Sequence, residues 1–149
     1  MGYVFGRREN GWMTMRWLMV LIFVLGFAGP GIAQTGRDAD IQGIVTGQID
    51  AFLRDDFEAA FGFASPNIRR LFGNSENFGT MVRQGYPMVW RPADVQFLEL
   101  DDQGGRVLQN VMIRDRQGKY FVLEYEMIVA ENGWQINGVR LLESPGVGA

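Results

Sequence analysis

The chain has 149 residues with 14 basic and 17 acidic side chains, a net charge of −3, and neither histidine nor cysteine. That excludes disulfides, thiol-linked lipid anchors, haem attachment, and zinc sites built from histidine and cysteine. The acidic balance also argues against a nucleic-acid-binding protein, which would carry a basic face.

The N-terminus reads as an export signal. Arg7, Arg8 and Arg16 stand against Glu9, and an apolar run from Trp17 to Ala28 follows, giving a basic n-region and an h-region. Gly31-Ile32-Ala33 supplies the small residues a signal peptidase reads, so cleavage is expected before Gln34. The run is shorter than the roughly 20 apolar residues of a spanning helix, which favours a signal peptide over residues 1–33 that is removed. A periplasmic or secreted location is therefore expected, with no membrane attachment after cleavage. The remaining 116 residues carry 11 basic and 16 acidic side chains, enough for one domain with one core. Its expected parts are a short linker at 34–40, a single α+β domain at 41–143 and a flexible tail at 144–149.

From Asp38 to Arg54, apolar Ile41, Ile44, Val45, Ile49, Phe52 and Leu53 recur at three- and four-residue spacing, which predicts one amphipathic helix. Asp38 or Asp40 can cap its start. Asp55-Asp56 breaks the pattern. Adjacent helical residues point about 100° apart, so this pair suits capping a second short helix better than sharing a proton or an ion. Ser65-Pro66 places a hydroxyl at a cap and a proline at a first helical position, and Gly73-Asn74 ends that third helix. Arg69 and Arg70 within it read as a solvated face and not as an anion site. Ser75-Glu76 opens a fourth helix, with Phe78, Met81 and Val82 on its buried side and Gly85 as its stop.

The character of the chain changes at Gln84-Gly85-Tyr86-Pro87-Met88-Val89-Trp90-Arg91-Pro92. Prolines bracket Trp90 and Arg91, which biases the backbone there towards extended conformation. Beyond Pro92, strands are predicted at Val95 to Leu100, Arg106 to Arg114, Lys119 to Val129 and Trp134 to Leu142, joined by short glycine-bearing turns. Short loops make this an antiparallel meander that the helices cover on one face. In the last strand Trp134 and Ile136 share one parity, whereas Val139 and Leu141 share the other, so a bulge is expected at Asn137-Gly138. The expected fold is α+β: a curved antiparallel sheet of four to five strands packed against N-terminal helices, with a concave, cone-like interior.

The same residues carry a resemblance. A leading helix, short helices and a curved meander ending in Gly133-Trp134-Gln135-Ile136 resemble the cystatin-like and nuclear-transport-factor-two-like, or SnoaL-like, superfamily. Ala64-Ser65-Pro66-Asn67-Ile68, Phe72-Gly73, Asn77-Phe78, Met81-Val82, the segment Gln84 to Pro92 and Gly133 to Val139 resemble more closely a bacterial family of exported proteins, domain of unknown function (number 4864). The likeness covers about Ile41 to Leu142. It implies the fold and export, and brings no established activity and no catalytic residues.

Enzymes of the wider superfamily often set histidine, aspartate and tyrosine around the pocket, and this chain has no histidine. A general base would have to be a carboxylate with a tyrosine partner. Tyr125 lies on the apolar side of its strand, and Glu99 shares parity with Val95 and Phe97. The opposite parity, Gln96, Leu98 and Leu100, is equally apolar, so Glu99 is open to either face. The sequence therefore supports a non-catalytic module that binds a small apolar ligand or a partner, with a cofactor-independent lyase or isomerase using Glu99 and Tyr125 as the alternative. The expected ligand contacts are Tyr86, Trp90, Arg91, Gln109, Tyr125 and Trp134. No metal or cofactor is expected. A homodimer through the outer sheet face is suggested by Tyr120, Val122 and Ile128.

Overall fold

The three- and four-residue spacing of Ile41, Val45, Ile49 and Phe52 becomes the buried stripe of α1 (Pro30–Leu53). This computed structural model describes residues 30–142. Residues 1–29 of the expected signal peptide at 1–33 and the tail at 144–149 lie outside the described residues, and residues 30–33 belong to α1. α1 already includes Pro30, the first described residue, so residues 34–40 are helical and not a linker, and Asp38 and Asp40 are not caps. No proline interrupts the chain from Gly31 to Leu53. Asp38 instead meets Arg37 at 3.4 Å.

The short helices form where the caps predict. Asp56 accepts from the Ala59 amide at 3.0 Å and starts α2 (Phe57–Gly62). Ser65 accepts from the Ile68 amide at 3.3 Å and starts α3 (Pro66–Phe72), which Gly73 ends at φ +77°. Asn74 accepts from the Asn77 amide at 2.8 Å and starts α4 (Ser75–Gly85). Phe78 on α4 gathers the helices: its ring lies 6.0 Å from Phe52, 5.2 Å from Phe61 and 5.7 Å from Phe72. The segment expected to be extended contains a further turn of helix, α5 (Pro87–Trp90). Pro87 occupies the first helical position, where its missing N–H is no loss. The extended bias imposed by Pro92 acts only on Arg91, at φ −136°.

Strands β1 (Asp94–Asp102), β2 (Val107–Arg114), β3 (Tyr120–Ala130) and β4 (Gly133–Leu142) form an antiparallel meander in the order β1-β2-β3-β4. Alternation sets the faces. Val107, Gln109, Val111 and Ile113 of β2 and Leu123, Tyr125 and Met127 of β3 are buried beneath the helices. α1 and α3 pack on β4, and α5 packs on β2. The predicted bulge is present: Glu126 pairs with Gly138 and Met127 with Ile136, leaving Asn137 as the extra residue. A second, unpredicted bulge lies in β1, where Phe97 pairs with Val111 and Leu100 with Gln109, so that Leu98 and Glu99 oppose Asn110 alone. Both bulges bend the sheet around the helices. The outer edge of β4 is partly covered by the chain between α2 and α3: Ser65 N–H donates to the Ile136 carbonyl at 2.8 Å, and Ile136 N–H donates to Phe63 at 2.9 Å.

Candidate functional site

The Asn137 bulge turns both Ile136 and Val139 towards the helices, while Gly138 pairs with Glu126 and has its side-chain position on the outer face. A cavity of about 220 Å³ lies between this part of β4, α1, α3 and α4. Phe52 and Gln48 of α1 and Phe78 and Val82 of α4 wall it, and Ile68, Leu71 and Phe72 of α3 lie across it. Leu71 is 73% exposed and marks the solvent side. Among the described residues, no acidic or basic side chain lines the cavity.

Its polar groups are few. The Gln48 amide donates to the Ala60 carbonyl at 3.2 Å, and the Tyr86 hydroxyl donates to the Val139 carbonyl at 3.0 Å. Tyr125 is fully buried, and its hydroxyl has no hydrogen-bond partner among the described residues. Burial, with neighbouring Tyr86 as the smaller cause, pushes its ionisation far above the ordinary tyrosine value of 10.0. Tyr125 is therefore a neutral donor in an apolar wall.

The other expected contacts go elsewhere. The bulge in β1 turns Glu99 to the outer face of the sheet, where it is exposed and accepts from the Asn110 amide at 3.2 Å. The sheet thus separates Glu99 from Tyr125, and the proposed carboxylate–tyrosine pair does not form. Gln109 is buried on the inner face, but its amide donates to the carbonyls of Leu98, at 3.0 Å, and Asn110, at 2.9 Å, tying down the bulge outside the cavity lining. Arg91 and Trp90 also lie outside that lining. The Trp90 indole N–H donates to Asp55 at 2.9 Å, and Arg91 donates to both oxygens of Asp55 at 2.7 Å and to the Phe52 carbonyl at 2.7 Å. The guanidinium sits 4.4 Å from the Trp90 ring centroid. These two residues join the end of α1 to the seam between helices and strands at Gln84 to Pro92. Asp55 takes a left-handed φ of 57°, and hydrogen bonds from Trp90, then Arg91, hold its carboxyl below the ordinary 3.8. Trp134 packs against α1 near Gly43 and Ile44, away from the cavity. Of the six expected contacts, Tyr86 and Tyr125 line it.

Arg69 donates to the carbonyls of Ala64, at 2.8 Å, and Gly62, at 3.3 Å, and Arg70 donates to Asn67, so neither is presented to an anion. The outer sheet face carries a polar groove of about 680 Å³ in which both arginines are paired with acids: Arg140 meets Glu124 at 2.6 Å, and Arg106 meets Glu126 at 3.6 Å. No group of carboxylates suited to a metal ion occurs among the described residues, and no described helix is long and apolar enough to cross a membrane.

Sequence reasoning took Met81 and Val82 as the buried side of their helix, whereas they line the cavity together with Ile68, Leu71 and Phe72. Their spacing alone cannot separate packing from lining, because both need an apolar helix face. The available signal was the parity switch at Asn137-Gly138, which turns both Ile136 and Val139 towards the helices.

The family model described as domain of unknown function (DUF4864) matches residues 34–149. No curated protein matches the chain. Among solved structures, a domain of unknown function with a cystatin-like fold from Nostoc punctiforme is similar at a TM-score of 0.53 and 16% identity, over 76% of this chain and 80% of that one. A SEC-C motif containing protein from Rhodopseudomonas palustris also gives 0.53 and 16%, over 77% and 88%. An NTF-2 like protein of unknown function from Shewanella oneidensis gives 0.48 and 14%, over 70% and 97%. At such identities, the likeness of the first two establishes the fold alone.

Proposed function

The chain belongs to the family described as domain of unknown function (DUF4864), and on that premise we propose that it is an exported, non-catalytic module whose cavity holds a small, largely apolar molecule. The cavity itself carries the reading. An aliphatic-lined hole of roughly 150 Å³ holds benzene, so about 220 Å³ suits a small ring or a short chain. Apolar walls drive entry by removing ligand surface from water. The lyase or isomerase alternative finds no support here, because no carboxylate of the described residues lines the cavity. Export is supported by the basic and apolar N-terminal segments, and by a family match that begins at residue 34, directly after the expected cleavage point.

The test is native mass spectrometry of the chain recovered from a bacterial envelope. The expected species begins at Gln34 and carries a small molecule, and a Val139→Phe variant, which fills the cavity, lacks it. A chain retaining the residues before Gln34 contradicts export. An adduct that survives Val139→Phe contradicts the cavity as its site.

A homodimer through the outer face is the partner reading. Met112 and Val122 are register partners there and remain half-buried, and Leu98 is 38% exposed. Sedimentation should show a dimer, and a monomer at high concentration rejects it.

A further inference from the structure

We propose that the cavity selects a neutral molecule bearing one acceptor oxygen of the carbonyl type, which takes the hydrogen bond of the Tyr125 hydroxyl while its apolar remainder lies beneath α3. This deepens the binding reading above and rests on it. A buried hydroxyl without a partner loses its water bonds and regains nothing, so folded proteins rarely keep one. Here the side chain is fully buried, its hydroxyl is unpartnered among the described residues, and Tyr125 lines a cavity large enough for a ligand. Of the neighbouring polar side chains, Tyr86 donates to Val139 and Gln48 to Ala60, which leaves Tyr125 as the hydroxyl in the lining without a partner among the described residues.

Charge decides between acceptors. A carboxylate would also accept from Tyr125, but no arginine or lysine of the described residues lines the cavity to offset its desolvation. An ammonium group fails equally, with no acid in the lining. A hydrocarbon fits the walls and leaves the hydroxyl unanswered. A ketone, aldehyde or ester satisfies both the walls and the donor. The apolar part then faces Ile68, Leu71 and Phe72, on a helix with no fully buried residue, held at Ser65 and ended by Gly73.

Calorimetry on the full chain, with acetophenone, ethylbenzene and benzoate as probes, tests this against Tyr125→Phe, with thermal melts of both proteins without ligand. Acetophenone is expected to bind the wild type and to lose about tenfold in affinity in the variant, the worth of one buried hydrogen bond. Ethylbenzene should bind both equally, and benzoate should bind neither. The ligand-free variant should melt higher, because it no longer buries an unanswered hydroxyl. Equal acetophenone binding to both proteins overturns the donor role while the binding module stands. Benzoate binding as tightly as acetophenone overturns the selection for neutrality. A lower melting temperature for Tyr125→Phe overturns the proposal by assigning the hydroxyl to the fold, for example to its cross-strand neighbour Gln109. If neither neutral probe binds the folded wild type, the binding reading falls and takes this one with it.

Discussion

At the scale of single residues, the seam is held by Asp55. Its left-handed backbone brings one carboxylate to both the Trp90 indole and the Arg91 guanidinium, and the depressed ionisation records that gain. A carboxyl whose folded value lies below its unfolded one stabilises the fold above the unfolded value and loses that contribution as pH falls through the folded value. The window therefore opens downward from 3.8. Asp55→Asn tolerates the same backbone conformation and removes the charge. It is expected to melt below the wild type at neutral pH, with the gap narrowing as the pH drops beneath 3.8, read by thermal melts across pH. A gap independent of pH contradicts the ion pair as the source. The sequence marked Trp90 and Arg91 as a conspicuous pair but could not show that their donors were already engaged by a residue 35 positions away.

At the scale of elements, caps and turns were the most legible features, because each is a local exchange of one side-chain acceptor for a free amide. Asp56 and Ser65 act as their positions predict. Two local signals misled. Asp38 and Asp40 resemble caps, yet the helix runs through them, since nothing from Gly31 onward breaks it. The prolines at the seam suggested extended chain, whereas Pro87 starts a helical turn. Helix packing at close range was not legible at all. Gly79, inside α4, has no room for a methyl group: an added Cβ would stand 2.6 Å from Cδ1 and 2.8 Å from Cγ of Phe57. Gly79→Ala gains about 1 kcal/mol of helix propensity. Overpacking against the base of a ring typically takes back about 1–3 kcal/mol. The expected net effect is a loss of about 1 kcal/mol in chemical denaturation. At Gly47 the clash is with the far end of the Phe63 ring, at 2.6 Å, which can swing away, so Gly47→Ala should be milder. A stabilised Gly79→Ala protein contradicts the close α2–α4 contact.

At the scale of the whole molecule, alternation and short loops made the meander and its helical cover legible, and the parity switch at Asn137-Gly138 located the bulge in β4. The bulge in β1 was invisible because both parities of that strand are apolar, and it is the bulge that decides which way Glu99 faces. The candidate site was half legible: Tyr86 and Tyr125 were named, but the helical walls looked like ordinary core. The resulting molecule has two distinct surfaces, an apolar cavity under the helices and a polar outer groove. Methionines report on each side, with Met81 lining the cavity and Met112 on the outer face of β2. Methyl NMR during an acetophenone titration tests the central claim most directly. Binding in the cavity predicts that the Met81 resonance shifts in a saturable way while Met112 stays fixed; a shift at Met112 with Met81 unmoved would contradict the account by placing the ligand on the outer face.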